Sequence, residues 1–294
     1  MPDAPLAHPS AFDLPHLLAL KDAVVPTAVA AGRWARTLAA RFEAGEDVLD
    51  VQAKTAPGDL VTFGDAEVQR RLVADLRPLS ALRPQAPDVG FLGEEGLDER
   101  AAGAPTWVID PIDGTHNFVR GAGPFCVSVG LVVDGVSVLG VIYDAGEDAT
   151  YWAVRGAGAW RLVDGVAPQR LYGPEPRDLS HALVATNFTA ESVRAARDGA
   201  TFMAIAAATA GVRSSGAACH DFCRFAAGRI DLFWQVGLKA WDVAAGAVLV
   251  REAGGACVFA DAPADWLRAP GLAAFAGQPG LVDAAIAAWR GAPG

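Results

Sequence analysis

Cysteine is scarce in this chain and never closely paired. The 294 residues include four, at positions 126, 219, 223 and 257, with no Cys-x-x-Cys spacing. So few, so scattered, exclude a disulfide framework and fit reduced thiols in a cytoplasmic protein. Cys219 and Cys223 flank His220 at the spacing of one helical turn, which reads as core packing rather than a metal site. A long apolar run is also missing. The longest, near Phe202–Val212, is too short to span a bilayer and stops at Arg213, so the sequence reads as soluble. The first ten residues, MPDAPLAHPS, lack the basic start and apolar stretch of a secretion signal, and residues 1–16 read as a loose tail. Positive charge is in deficit, with a net charge of −10. That excludes nucleic-acid backbones and anionic membranes as natural partners. Charged residues are only 20% against 52% hydrophobic, which excludes a disordered chain.

What is present is a folded chain of alternating elements. Apolar positions at helical spacing predict a helix from Leu17 to Glu46, kinked or divided at Pro26, and a second over 66–76 with Asp65 as its N-cap. Short strands follow at Val89–Leu92, ending in GEEG, and at Thr106–Ile109, delivering Asp110 at its end before Pro111 forces a turn. Phe125–Val133 and Val136–Tyr143 read as a hairpin joined by Asp134-Gly135, and Tyr151–Val154 and Ala159–Val163 extend it as a meander. The second half alternates: strand Leu183–Thr186, helices Glu191–Ala210 and Ala217–Ala227, strand Ile230–Gln235, helix Trp241–Ala253 and strand Ala256–Phe259. This pattern implies layered α/β architecture. The prolines near Gly173 suggest two halves, 17–172 carrying most of the chemistry and 173–294 completing it.

The chemistry concentrates in WVIDPIDGT, 107–115. Two carboxylates as close as Asp110 and Asp113 repel unless both bind cations. Hard oxygen donors suit Mg²⁺, which keeps several waters and binds through few carboxylates plus a substrate phosphate. Backbone N–H groups at Gly114 and Thr115 suit a phosphate oxygen. Three further segments are each unremarkable alone. GEE offers Glu94 or Glu95, WDVAAG puts Asp242 at a helix start, and DLVTFGD offers Thr62 and Asp65. Capping or a solvated surface would account for any one of them.

Together, in this order, KTAPGDLVTFGD, GEEG, WVIDPIDGTHNFV, GVRSSGAA, GLKAWDVAAG and EAGG resemble the inositol monophosphatase family of metal-dependent, lithium-sensitive phosphatases. The resemblance runs from Lys54 to Gly255 and implies an αβαβα sandwich. It implies that Glu94 and Asp110, with the Ile112 carbonyl, hold one Mg²⁺, and that Asp110, Asp113 and Asp242 hold a second. A third, weaker ion would sit near Glu94. Gly114 and Thr115 would meet the phosphate, and Thr115 with Asp65 would orient the metal-activated water that attacks phosphorus directly. Lys54 stands where such proteins place a lysine near the metals, and is an auxiliary residue or a surface charge. The resemblance also implies inhibition by Li⁺ and a homodimer.

Substrate choice falls to other residues. GVRSSGAA resembles the segment whose backbone faces the substrate, which assigns Gly216, Ala217 and Ala218 to binding along with Asp113 and Asp242. Seven positions before Asp242, where inositol-selective members carry an acidic residue, this chain has Gln235. Glutamine still accepts hydrogen bonds but brings no charge. His116-Asn117-Phe118 departs from the Lys-Glu-Phe of 3′-phosphoadenosine 5′-phosphate phosphatases, whereas NFVRG fits relatives acting on histidinol phosphate. The expected substrate is inositol 1-phosphate, then histidinol phosphate, then sugar phosphates broadly, fructose 1,6-bisphosphate among them. From another class, a non-catalytic partner of the transcription machinery on the same fold is the alternative. The complete carboxylate set argues against it.

Overall fold

The structure, a computed structural model, describes residues 12–53, 60–80, 88–101, 103–188 and 196–291. Lys54 and the start of the expected helix at 191–210 lie outside the described residues.

The chain opens with helix α1 (Leu14–Glu43), whose first turn is capped by Asp13, its carboxylate accepting the His16 N–H at 3.0 Å. The helix therefore begins inside the expected tail. It also runs through Pro26 as one element instead of dividing there. By length and composition alone it could cross a membrane. Here its apolar stripe, Leu17, Leu20, Val24, Ala28, Ala31, Ala35 and Leu38, is buried in the protein core. Strands β1 (Gln52–Ala53) and β2 (Leu60–Val61) form a small ribbon before α2 (Phe63–Ser80).

An eight-stranded sheet follows: β3 (Gly90–Gly93), β4 (Leu97–Asp98), β5 (Thr106–Asp113), then, after the short α3 (Thr115–Arg120), β6 (Cys126–Val133), β7 (Val136–Asp144), β8 (Ala149–Val154), β9 (Gly158–Val163) and β10 (Gln169–Leu171). Its order is β10-β9-β8-β7-β6-β5-β3-β4, parallel only between β3 and β5. β11 (Leu183–Thr186), α4 (Ala196–Ala208), β12 (Gly211–Arg213), α5 (Ala218–Ala226), β13 (Leu232–Leu238), α6 (Ala240–Glu252), β14 (Ala256–Ala260), β15 (Leu272–Gly277) and α7 (Pro279–Gly291) complete the chain. The second sheet has the order β12-β11-β13-β15-β14.

These elements stack as the expected five layers. α1 and α2 cover one face of the large sheet, and α5 and α6 lie between the two sheets. α4 and α7 cover the far face of the small sheet. The central layer is where close packing matters most. A Cβ at Gly140 of β7 would lie 2.5 Å from the Ala245 carbonyl oxygen of α6, and one at Gly130 of β6 would lie 2.9 Å from the Ala244 Cβ. The run of alanines behind Trp241-Asp242 is thus matched to glycines on the sheet. Small residues on both sides let α6 lie almost on the strands, which brings its first turn to the end of β5.

Candidate active site

β5 does not stop at Asp110, as the proline suggested. It continues to Asp113, and the turn expected at Pro111 is instead an irregularity within the strand. Asp110 faces Ser128 and Asp113 faces Cys126, so three steps along β5 match two along β6. The extra residue is a β-bulge. Residues three apart in a regular strand point to opposite faces, and one inserted residue turns the second back toward the first. Proline fits there because a bulge position needs no ladder N–H. Both carboxylates converge, and one oxygen from each of Asp110, Asp113 and Asp242 lies within 4.8 Å of the others.

Each of the three is separately anchored. Asp110 Oδ1 accepts the Ile112 N–H at 3.1 Å, folding the strand end onto itself. Asp113 accepts the Ala218 N–H on Oδ1 at 3.1 Å and the Cys219 N–H on Oδ2 at 2.7 Å, so it caps the first turn of α5. Asp242 is not the N-cap of its helix. It sits three residues past Lys239, whose N–H donates to Oδ2 at 2.6 Å. These N–H donors hold the carboxylates in place but leave lone pairs for a cation.

Their charge is poorly compensated by protein. No ion pair reaches Asp110, Asp113 or Asp242 among the described residues. Burial raises Asp110 well above the usual carboxylate range, and Glu94, Asp113 and Asp242 raise it further. Burial and Asp242 do the same to Asp113. Asp242 is pushed up to about 7, by burial first and by the charge of Glu94. Glu94 stands just beyond the end of β3 and is not among the three converging groups, yet its field reaches Asp110, Asp242 and Asp65. Glu95 has a structural role at the end of the same strand, where its N–H and carbonyl pair with the Gln69 side chain at 3.0 Å each. An all-oxygen set in mutual repulsion is what a hard divalent cation relieves, so these residues fit the expected metal.

Beside them lies a chain of hydroxyl and carboxylate groups. Thr62 precedes α2 and accepts the Gly64 N–H on Oγ1 at 3.0 Å. Asp65 is therefore not the N-cap. It lies in the first turn, where Oδ2 accepts both the Thr62 N–H at 2.8 Å and the Thr62 hydroxyl at 2.6 Å, a reciprocal capping arrangement. Its other oxygen faces the Thr115 hydroxyl at 3.4 Å. That hydroxyl also lies 3.1 Å from the Ile112 carbonyl. Asp65 is fully buried, and burial raises it to about 6, against the lowering effect of Thr62. A carboxylate poised near neutrality beside a hydroxyl can take up a proton. Gly114 joins the two groups of residues with φ +91°, a left-handed conformation that glycine adopts without strain.

The segment 214–218 packs on that glycine. A Cβ at Gly114 would lie 3.0 Å from the Ala217 Cβ and 3.4 Å from the Gly216 carbonyl oxygen. Gly216, Ala217 and Ala218 thus border the acidic cluster, Ala218 through its N–H on Asp113. Gln235 lies in β13 and carries a buried side-chain oxygen with no protein partner. Cys219 and Cys223 pack in the core, and His220 Nδ1 meets Asp144 Oδ2 at 2.6 Å.

Sequence reasoning missed Asn187 and Asp221, two buried polar residues that organise this border. The only signal was an aspartate on the apolar stretch 217–227 and an asparagine directly after a strand.

Comparison with known proteins bears on the whole chain. A sequence signature described as the inositol monophosphatase family matches residues 21–289. The inositol-1-monophosphatase of Mycobacterium leprae (strain TN) is 38% identical over 246 residues, covering 81% of this chain and 80% of that protein. Inositol monophosphatase 1 of Sus scrofa is 35% identical over 224 residues, covering 72% and 76%. Among solved structures, the extragenic suppressor protein suhB from Bartonella henselae superposes with a TM-score of 0.76 at 29% identity, over 93% of this chain and 99% of that one.

Proposed function

The chain belongs to the inositol monophosphatase family, and on that premise we propose that its acidic cluster is the active site of a magnesium-dependent phosphomonoesterase acting first on inositol 1-phosphate. One observation carries the assignment to this site. Three anchored carboxylates, Asp110, Asp113 and Asp242, converge within 4.8 Å, beside a Thr115–Asp65 pair.

Asp110, Asp113 and Asp242 would hold the divalent cations, with Glu94 and the Ile112 carbonyl completing the shell. Bound there, the cations supply charge neutralisation for an incoming phosphate and an activated water at neutral pH. Everything else falls to the chain itself. The backbone at Gly114 and Thr115 receives phosphate oxygens at the mouth of α3. Thr115 Oγ1 and Asp65 Oδ1 align the attacking water, and Asp65 accepts its proton. The burial that raises Asp65 to about 6 supports this, because a base is most effective when its pKa lies near the working pH. Both strand aspartates are engaged with N–H donors and reserved for cations, so direct attack by water is favoured over an aspartyl intermediate.

Gly216, Ala217 and Gln235 would face the alcohol, as the family resemblance implies. The unpartnered oxygen of Gln235 supports an acceptor role toward a substrate hydroxyl. Inhibition by Li⁺, a homodimer and a cytoplasmic location belong to the same reading and rest on the family resemblance; the four buried, unpaired cysteines suit a reducing compartment. Comparing kcat/KM for inositol 1-phosphate, histidinol phosphate and fructose 1,6-bisphosphate tests the substrate. Inositol 1-phosphate is expected to lead, and a clear preference for either of the others would replace it.

A further inference from the structure

The loop between β12 and α5 has neither a sheet ladder nor a helix to hold it. Side chains do so instead. Asn187, just past β11 and 7% exposed, accepts the Gly216 N–H on Oδ1 at 2.8 Å and the Ser214 hydroxyl on the same oxygen at 3.1 Å. Its amide nitrogen donates to Asp221 Oδ2 at 2.9 Å. Asp221, 1% exposed on α5, also accepts the Ser215 hydroxyl on that oxygen at 2.8 Å. From the other half of the molecule, Asn117 donates to the Ser215 carbonyl at 2.8 Å and to the Pro124 carbonyl at 2.7 Å. Each residue from Ser214 to Gly216 is therefore fixed by a buried polar side chain.

The orientation of Asn187 follows from its partners. A carboxylate accepts and does not donate, so Asp221 claims the amide NH₂ and leaves the amide oxygen for Gly216. Gly216 has φ +78°, and its carbonyl and the Ala217 Cβ press on Gly114. A loop that has lost Asn187 keeps Ala218 and Cys219 on Asp113, because those bonds belong to the first turn of α5. What it loses is the placement of the Gly216–Ala217 wall.

We propose that Asn187 is a positioning residue for substrate choice, holding the Gly216–Ala217 wall against Gly114 so that the site discriminates among phosphate esters by their alcohol. This rests on the reading of the site as a phosphomonoesterase. The class favoured is a compact polyol phosphate, whose hydroxyls need a fixed wall. An aryl phosphate such as 4-nitrophenyl phosphate, with a good leaving group and no hydroxyls, depends on the wall far less.

The test is Asn187→Ala, assayed with Mg²⁺ on inositol 1-phosphate and on 4-nitrophenyl phosphate. The expected result is a loss of about ten-fold or more in kcat/KM for inositol 1-phosphate, the scale of one or two lost buried hydrogen bonds, carried by KM. The 4-nitrophenyl phosphate value and the Mg²⁺ half-saturation should move by less than about three-fold, as expected of a residue that touches no metal ligand. An equal loss on both substrates, or no loss on either, overturns the proposal. Should Asn187→Ala fail to fold, Ser215→Ala, which frees the same loop from Asp221, is read by the same two outcomes. Wild-type protein that hydrolyses neither ester would refute the functional reading, a result distinct from the failure of this inference.

Discussion

Replacing Asp242 by asparagine should make the metal-free protein more stable and the enzyme inactive. Asp242 rises from its ordinary 3.8 to about 7, by desolvation first and by the charge of Glu94, against the lowering hydrogen bonds from the Lys239 N–H and Asp110. Keeping it ionised at pH 8 would then cost about 4 kcal/mol by the shift alone. Its surface is only half-buried, and water at that edge brings the figure down to about 2 kcal/mol. Asparagine removes the charge and keeps an oxygen for the Lys239 N–H that Asp242 now accepts at 2.6 Å. In chelator at pH 8, the variant should melt about 5 °C higher than wild type, at roughly 2–4 °C per kcal/mol in a chain of this size. The difference should narrow at pH 5. There the folded wild type carries the proton while the unfolded chain has mostly lost it, so the carboxylate is no longer held charged. A folded pKa above the unfolded one means that metal-free stability falls as pH rises from about 4 to about 7. Saturating Mg²⁺ should reverse the order, stabilising wild type by about 3 kcal/mol at a hundred times Kd and the variant much less. Activity should fall at least about 100-fold. Calorimetry in chelator and in Mg²⁺ measures the stability changes, and a phosphate-release assay the activity. A variant that melts below wild type in chelator at pH 8, or that gains as much from Mg²⁺, would refute the reasoning.

Other outcomes follow from the same geometry. Thr115→Ala removes the hydroxyl 3.4 Å from Asp65 and should lower kcat by about 10²–10⁴-fold, with the Mg²⁺ half-saturation nearly unchanged in a metal titration of activity. The Mg²⁺ half-saturation itself should fall as pH rises toward about 7, because below that value a cation must displace the proton on Asp242; a pH series of Mg²⁺ titrations reads it. Gly140→Ala drives a Cβ to 2.5 Å from the Ala245 carbonyl and should destabilise the fold by about 1–3 kcal/mol, seen as a lower denaturation midpoint in urea.

The site was legible in the sequence to the degree that one strand carries it. Residues 110–115 are contiguous, and a bulge turns the Asp110 and Asp113 side chains of that short run toward one another. The bulge itself was not legible. A proline after an aspartate reads as a turn in isolation, and only pairing with β6 reveals a strand that continues. Asp65 reads as an N-cap, and capping accounts equally well for Asp242 in isolation, because a carboxylate at a helix start looks the same one turn further in. Their companions come from elements far apart in sequence, and a known family order brought them together where residue chemistry alone did not. Two of the missed elements, β15 and α7, have a common cause. β15, Leu-Ala-Ala-Phe-Ala-Gly, is buried along its whole length and shows neither alternation nor β-branched residues, and α7 follows it with the same alanine bias. The layers were legible because the helices and strands alternate. Asn187 and Asp221 were not, since a buried hydrogen-bond network leaves no spacing to read.

The most direct test is phosphate release from inositol 1-phosphate by folded protein, measured in Mg²⁺, in excess chelator, and with Asp113→Asn in Mg²⁺. Turnover that needs the cation and vanishes in the variant is the predicted result. Turnover that persists in chelator or in Asp113→Asn, or protein that binds Mg²⁺ and releases no phosphate, would contradict the assignment of Asp110, Asp113 and Asp242 as the centre of the chemistry.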